Sequence, residues 1–341
     1  MPFIKILGLI GISALAAAAV FFTAFPVRRF AKKIKALDVP RGERHRHSRP
    51  TPLLGGICLF FAFALCALIF TKADRALFCF LIGALLVTLT GALDDKYDLR
   101  PWVKLVAETL AALVVTLGGT TIEFINIGGH YLHFGVFAYP ITILWIVALT
   151  NGINLIDGLD GLACGVSGIC AASIFAVSLL HGDYTCAVFT AAIFGGCAGF
   201  LPHNMNDRRK FFIGDTGALF LGFVLSAVTV RGLFKTQAVL SFIVPVVILG
   251  LPIFDTGFAF FRRIAAGKNP FCADRAHLHH RIMDMGFSEK QTVCLLFVLS
   301  GALGCVAVVM SALGFLWALL AAALCVAAVV VFVRIRQKKK K

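Results

Sequence analysis

Charged residues are scarce in this sequence. They make up 14% of its 341 residues, whereas a soluble domain usually carries about 25%. Acidic residues are the scarcer sign, with 17 aspartates and glutamates against 32 lysines and arginines. So small a charged fraction excludes an ordinary water-soluble domain, because such a domain needs a polar exterior.

The sequence also lacks the cysteine spacing of a zinc site. It has eleven cysteines, and most lie inside apolar runs: Cys58, Cys66, Cys79, Cys170, Cys197, Cys305 and Cys325. A buried thiol behaves as a small apolar side chain, so we interpret these residues as packing. The basic residues come without an aromatic recognition module, which argues against a nucleic-acid partner.

Long hydrophobic runs are abundant instead. Hydrophobic residues make up 60% of the chain and fall in blocks of roughly 17 to 25, the length that crosses a bilayer as a helix. The pattern predicts a single all-α polytopic membrane domain over 1–341 with about 11 transmembrane helices. These lie near 3–25, 52–71, 76–93, 103–119, 135–150, 162–181, 184–201, 214–231, 238–258, 292–312 and 315–333.

The positive charges predict how the chain is oriented. All but five of the 32 lysines and arginines fall in the loops after odd-numbered spans or in the basic tail 334–341. Positive loops stay in the cytoplasm, so the N-terminus is predicted outside and the tail inside. Attraction to anionic membrane lipids accounts for most of this charge. The loop after span four alternates polar and apolar residues around Gly128-Gly129, which predicts a short external β-hairpin.

Asp94 and Asp95 form the first acidic motif, at the cytoplasmic end of span three. Two adjacent carboxylates beside hydrocarbon repel each other and are costly to ionise. A divalent cation or a shared proton would relieve that cost. The alternative is a solvated helix end without function.

The loop after span five, 151–162, interleaves Asn154, Asp157 and Asp160 with three glycines. Glycine lets a ligand approach the backbone closely, and the two aspartates share a face if the segment is helical. The loop lacks the downstream glutamate of a calcium-binding loop. Ligand binding is the favoured interpretation, and an ordinary polar turn is the alternative.

Asp215 begins span eight, between Gly214 and Thr216. At that position a carboxylate could serve only as a helix cap. The neighbouring glycines and the other acidic loops favour a metal ligand.

The loop after span nine contains three histidines within four residues and two flanking arginines: His277, His279, His280, Arg275 and Arg281. Histidine beside arginine suits the binding of phosphate groups. A zinc site is the competing interpretation, but the sequence offers no partner loop with the usual Cys/His spacing.

Together these loops predict phosphoryl-type transfer at a membrane surface. Mg²⁺ is typically held by one or two carboxylates plus substrate phosphates, and it neutralises charge on a transferring phosphoryl group. A secondary transporter would instead place acidic residues near the span centres, with related repeats. A structural scaffold gives no reason for carboxylates in apolar-flanked loops.

The motifs resemble those of the polyprenyl-phosphate N-acetylhexosamine-1-phosphate transferases, of the glycosyltransferase 4 type. This family makes the first lipid-linked intermediate of bacterial cell-surface polymers such as lipopolysaccharide or teichoic acid. The resemblance covers about 38–290. Its matching segments are 38–40, 49–52 with 55–56, 91–95, 151–162, 213–217, 252–263 and 274–281.

The resemblance implies that a lipid phosphate, undecaprenyl phosphate, attacks the β-phosphate of a UDP-sugar and releases UMP. Whether attack is direct or passes through an enzyme-bound phosphate stays open. The implied cofactor is Mg²⁺, with Mn²⁺ as the alternative. The implied roles are catalytic for Asp94, Asp95, Asp157 and His279, metal-binding for Asp215 and Asp95, and substrate-binding for Asn154, Asp160, Arg275, His277 and His280.

The histidine segment separates branches of the family. Here Leu278 interrupts the histidines, as in the branch that uses UDP-N-acetylglucosamine, whereas the muramoyl-pentapeptide branch has three in a row. The first branch is therefore favoured, and the second is the alternative. Ala218 and the run 206–210 depart from the family pattern, so the identity of the sugar stays open. The family also suggests a homodimer.

Overall fold

A computed structural model describes residues 3–39, 50–127, 130–206, 209–233, 242–267 and 277–325. Arg275, the turn at 128–129 and the basic tail 334–341 lie outside these residues. The described chain is overwhelmingly α-helical, with two short two-stranded ribbons.

The helices follow one another through most of the chain. They are α1 Phe3–Lys33, α2 Gly56–Phe70, α3 Arg75–Tyr97, α4 Pro101–Leu117, α5 Ala138–Ile156, α6 Leu162–His181, α7 Tyr184–Asn204, α8 Gly214–Val228, α9 Ile243–Ile248, α10 Gly250–Ala265, α11 Leu278–Asp284 and α12 Glu289–Leu313. A further helical stretch covers Phe315–Cys325. A 3₁₀ turn, Gly135–Phe137, precedes α5, and a π-helical turn, Thr229–Leu233, follows α8.

Local signals in the sequence account for where several helices begin. The Asp74 carboxylate accepts a hydrogen bond from the Leu77 amide (2.8 Å) ahead of α3. Asp183 does the same for the Cys186 amide (3.0 Å) ahead of α7. Ser288 and Gln291 cap α12 reciprocally. Each cap satisfies backbone N–H groups that have no partner within the helix.

Among the described residues, seven helices are long and apolar enough to cross a membrane: Ile4–Lys33, Arg75–Tyr97, Gly135–Ile156, Leu162–His181, Tyr184–Asn204, Gly214–Gly232 and Glu289–Leu313. Two apolar helices, Gly56–Phe70 and Phe315–Cys325, are shorter. The predicted all-α polytopic architecture is therefore observed. The number of eleven spans and their orientation stay predictions.

The strands form two antiparallel pairs. Strand β1, Leu37–Asp38, pairs with β2, Thr51–Pro52. Strand β3, Phe124–Ile127, pairs with β4, His130–His133, with Phe124 opposite His133. This second pair occupies the segment for which the alternating pattern predicted a hairpin, and its external location stays a prediction.

Helix α8 forms the centre of the bundle. In the apolar stretch of α8, 89% of the residues are buried, whereas in the apolar stretch of α1 only 22% are. Helix α8 packs against α2, α3 and α5. Small residues allow this close approach: a Cβ at Gly91 would lie 2.5 Å from the backbone of Asp215 and Thr216. The last turn of α3 is thus held directly against the first turn of α8.

Candidate active site

The ends of α3 and α5 and the start of α8 meet at one end of the bundle and bring the acidic motifs together. Asp94 and Asp95 lie in the last turn of α3, Asn154 in the last turn of α5, and Asp157 directly after it. Asp215 lies in the first turn of α8. Because successive helices run in opposite directions, motifs far apart in sequence share this end.

Asp95 fixes the start of α8. Its Oδ1 accepts a hydrogen bond from the Asp215 amide (2.8 Å), and its Oδ2 accepts from the Thr216 amide (3.3 Å) and the Thr216 hydroxyl. Gly214 makes this possible, since it adopts a φ of +66° and a Cβ there would collide with the Asp95 carboxylate. Both oxygens of Asp95 thus hold Asp215 in place.

Asp94 and Asp215 share one cation, the ammonium of Lys104 in the first turn of α4. Lys104 Nζ lies 2.9 Å from Asp94 Oδ2 and 2.8 Å from Asp215 Oδ2. Asp94 Oδ1 also accepts from the Leu99 amide (2.8 Å), and the Asn154 amide group donates to Asp215 Oδ2 (3.4 Å). The two carboxylates therefore point at a common position.

Sequence reasoning did not single out Lys104, nor Glu108 one turn further along α4. The Asn151 amide group donates hydrogen bonds to Glu108 Oε2 and to the Val147 carbonyl (2.9 Å). Glu108 is 1% exposed. A signal was present for Glu108, because it falls inside the predicted span 103–119 and ionisable residues within such segments are candidates for function. Lys104, in contrast, lies at the edge of that span and is counted with the loop before it.

Two side chains near the end of α7 hold the loop after α5. Asn204 Oδ1 accepts from the Gly161 amide (2.6 Å), and its Nδ2 donates to the Phe211 carbonyl (3.1 Å). Lys210 pairs with Asp160. The loop is thus held by the buried Asn204 hydrogen bond at Gly161 and by the Lys210–Asp160 ion pair.

The carboxyl group of Asp157 differs from those of Asp94, Asp95 and Asp215 in its hydrogen bonding. It accepts no hydrogen bond from the side chains of the described residues, and its pKa is raised. Burial raises this pKa well above the usual aspartate range, and the charges of Asp215, Asp95 and Asp160 raise it further. Such a group is suited to accepting and holding a proton.

Asp255 of α10 anchors the histidine segment. His277 Nδ1 donates to Asp255 Oδ2 (2.9 Å), and the Leu278 amide donates to Asp255 Oδ1 (2.7 Å). Asp255 and His277 are 5% and 6% exposed, so the pair is shielded from solvent. This carboxylate therefore fixes both the His277 ring and the start of α11.

The remaining histidines extend from this anchor to the acidic loop. The rings of His277 and His279 are nearly parallel with centroids 6.1 Å apart, and His280 lies 4.3 Å from His279. A Cβ at Gly158 would lie 2.5 Å from His279 Nε2. The histidine segment thus contacts the loop directly beside Asp157.

The donor set at Asp94 and Asp215 fits Mg²⁺ bound in its usual mode. Within the described ranges, no three His, Cys, Asp or Glu side chains are close enough to hold a metal ion by themselves. Mg²⁺ commonly uses only one or two carboxylates and completes its shell with water and substrate phosphates. Two carboxylate oxygens that already share one cation match that requirement.

Comparison with known proteins gives a family. Residues 77–233 match the model of glycosyl transferase family 4. A Bacillus subtilis protein, described as a probable undecaprenyl-phosphate N-acetylglucosaminyl 1-phosphate transferase, is 38% identical over 80% of this chain and 76% of its own. The chain belongs to glycosyl transferase family 4. The resemblance indicated by the sequence motifs is confirmed.

Two further family members are similar along most of the chain. The decaprenyl-phosphate N-acetylglucosaminephosphotransferase of Mycobacterium tuberculosis is 32% identical over 86% of this chain and 80% of its own. The undecaprenyl-phosphate alpha-N-acetylglucosaminyl 1-phosphate transferase of Escherichia coli is 28% identical over 83% and 79%. With the apolar helices, these family relationships make the chain a multi-pass membrane protein.

Proposed function

We propose that this protein transfers N-acetylglucosamine 1-phosphate from UDP-N-acetylglucosamine to undecaprenyl phosphate and releases UMP. The observation that carries the proposal is the site's two-part arrangement, in which carboxylates that share a cation lie next to a histidine segment. The relatives named for this reaction support it. The product is the first lipid-linked intermediate of a cell-surface polymer.

In this proposal Asp215 and Asp94 hold Mg²⁺, and Asp95 positions Asp215 through the α8 amides. When bound, the metal neutralises charge on the diphosphate as it is cleaved. Mn²⁺ is the alternative metal. The family resemblance implied Asp95 as the second metal ligand; in this proposal both its oxygens accept from α8, so Asp95 supports the metal site through Asp215.

Asp157 is the proposed proton acceptor for the lipid phosphate. Asp95 is engaged by backbone amides and Asp94 by Lys104, whereas the Asp157 carboxyl group has a raised pKa and accepts no hydrogen bond from the side chains of the described residues. Removing the proton from the lipid phosphate makes its oxygen a better nucleophile toward the β-phosphate of the UDP-sugar.

The histidine segment is the proposed binding site for the diphosphate and sugar. His277, His279 and His280 present nitrogen donors, and Asp255 orients the first of them. Asn154 and Asp160 complete the nucleotide side. Arg275, outside the described residues, is proposed to join them.

The proposed setting is the bacterial cytoplasmic membrane. The site is proposed to lie on the cytoplasmic face, where a water-soluble UDP-sugar can meet the lipid phosphate. The distribution of lysine and arginine supports this orientation. A homodimer is the proposed assembly.

The test uses purified protein in detergent with undecaprenyl phosphate, Mg²⁺ and radiolabelled UDP-N-acetylglucosamine. Label entering the lipid fraction with an equal amount of UMP, and lost on adding EDTA, is the expected result. Asp183→Asn is the matched control for the site variants, because Asp183 caps α7 at the opposite end of the bundle and asparagine also caps. Absence of transfer from any UDP-sugar would overturn the proposal.

A further inference from the structure

Glu108 has an unusual environment for a carboxyl group. It is 1% exposed, and its Oε2 accepts a hydrogen bond from the Asn151 amide group. Its other oxygen, Oε1, is buried and has no hydrogen-bond partner among the residues that the structure describes. A buried polar atom of this kind is costly to leave unsatisfied, so its retention calls for an explanation.

Lys104 precedes Glu108 by four residues, one helical turn, in α4. Residues four apart on a helix are neighbours on the same face, and Glu108 is the only acidic residue in α4, Pro101–Leu117. In this structure the Lys104 ammonium is instead bound by Asp94 and Asp215. Lys104 thus has two sets of anionic partners within the length of its flexible side chain.

The oxygens that hold Lys104 are those assigned above to a divalent cation. A divalent cation and an ammonium at the same two carboxylate oxygens would repel each other strongly. Lys104 must therefore leave when the divalent cation binds. Moving an ammonium into a buried region is favourable only if it meets a counter-charge there.

We propose that Glu108 receives the Lys104 ammonium when a divalent cation takes its place between Asp94 and Asp215. Glu108 Oε1 is the acceptor, and Asn151 keeps the carboxylate in position through Oε2. Lys104 and Glu108 thus allow one cation to replace another. In the metal-free protein the Lys104 ammonium holds Asp94 and Asp215 together, and on metal binding its side chain turns toward Glu108, one turn further along α4. This inference rests on the proposed function in needing a divalent cation at Asp94 and Asp215.

A purely structural role for Glu108 makes a different prediction. If it only ties α4 to α5 through Asn151, then Glu108→Gln changes little, because the glutamine carbonyl oxygen also accepts that hydrogen bond. If it acts only through its negative charge, then Glu108→Gln weakens cation binding whether or not Lys104 is present. The exchange requires both residues together.

The test is a double-mutant cycle on Mg²⁺ binding, since such a cycle isolates the coupling between two residues. MgCl₂ alone is titrated calorimetrically into purified protein in detergent, without substrate. The proteins are wild type, Glu108→Gln, Lys104→Met and the double variant. We expect Glu108→Gln to weaken binding about tenfold or more, as loss of a supporting partner does at metal sites, and to change it less than about twofold in the Lys104→Met background.

Several outcomes would overturn the inference. If Glu108→Gln weakens Mg²⁺ binding equally with and without Lys104, then Glu108 acts only through its negative charge. If Glu108→Gln weakens Mg²⁺ binding in neither protein, then the role of Glu108 is structural. If wild type binds no Mg²⁺, the metal assignment fails and the exchange fails with it. If Glu108→Gln lowers the unfolding midpoint, Glu108→Asp replaces it in the test because aspartate keeps the negative charge. The Glu108→Asp protein is expected to bind Mg²⁺ more tightly than the Glu108→Gln protein.

Discussion

The two halves of the candidate site balance their charges in opposite ways. In the acidic half, Asp94 and Asp215 share a single ammonium from Lys104. In the histidine half, one carboxylate, Asp255, holds one imidazole, His277, and two more histidines follow. The first half has more carboxylates than ammonium groups, and the second has more imidazoles than carboxylates.

This difference suggests a division of labour. A surplus of carboxylate recruits a cation, whereas a surplus of imidazole recruits phosphate. The halves also differ in construction: the ends of packed helices form the acidic half, and the seven-residue helix α11 carries most of the histidine half. Gly158 is where they touch. Substitutions can therefore disrupt either half, their contact, or the Asn204 hydrogen bonds that hold the loop after α5.

Breaking the acidic half should have the largest effect. Asp215→Asn removes one of the two charges that face the common cation, and transition-state charge on the diphosphate loses its stabilisation. We expect the transfer rate to fall about a thousandfold. Initial rates of label transfer to lipid measure this. Retention of more than about a tenth of the wild-type rate, with Asp183→Asn unchanged, would contradict the assignment.

Separating the two halves should have the second-largest effect on the transfer rate. A methyl group at Gly158 would collide with His279 Nε2, so Gly158→Ala should displace the histidine segment from Asp157. A misplacement of about 1 Å costs roughly a hundredfold in rate. Gly257→Ala in α10 is the matched control, because a Cβ there meets nothing within 4 Å. Equal rates for the two variants would show that the contact has no role in catalysis.

Weakening the Asp255–His277 contact should have a smaller effect, and it should change the KM of only one of the two substrates. Asp255→Asn replaces the carboxylate that accepts from His277 Nδ1 with a weaker acceptor. We expect the KM for UDP-N-acetylglucosamine to rise about tenfold while the KM for undecaprenyl phosphate stays unchanged. Steady-state kinetics with each substrate varied in turn measure this. An equal rise in both KM values would instead indicate general damage.

Removing the Asn204 hydrogen bonds, which hold the loop after α5, should affect stability more than catalysis. Asn204→Ala leaves the Gly161 amide and the Phe211 carbonyl without their partner, and two buried unsatisfied groups cost about 1–3 kcal/mol each. The expected result is a lower unfolding midpoint in detergent. The exposed Asn206→Ala is the comparison variant. Midpoints that agree for the two variants would show that the Asn204 hydrogen bonds contribute little.

Much of this architecture was predictable from the sequence because its signals are local. Apolar runs of membrane length predict helices, and carboxylates at their ends predict a polar site between packed helices. The family motifs predicted the assignment to glycosyl transferase family 4, which the relatives confirm. Asp94, Asp95, Asn154 and Asp215 were each singled out in sequence, and the structure brings them together.

The remaining contacts depend on packing between distant segments. Lys104 reaches Asp215 across 111 positions, and Asp255 reaches His277 across 22; neither spacing follows a helical period. A lysine near a span end is also indistinguishable from an orientation signal until its partners are known. The role of Asp95 was equally hidden, because its three hydrogen bonds to α8 depend on how Gly91 and Gly214 allow α3 and α8 to approach.

In the proposed reaction, the bond that breaks lies between the two phosphates of the UDP-sugar. The direct measurement supplies UDP-N-acetylglucosamine with one radiolabel in the sugar and a second in the β-phosphate. The proposed reaction predicts equal amounts of both labels in the lipid fraction and UMP in the aqueous fraction. Sugar label in the lipid without the β-phosphate label, with UDP released, would contradict it.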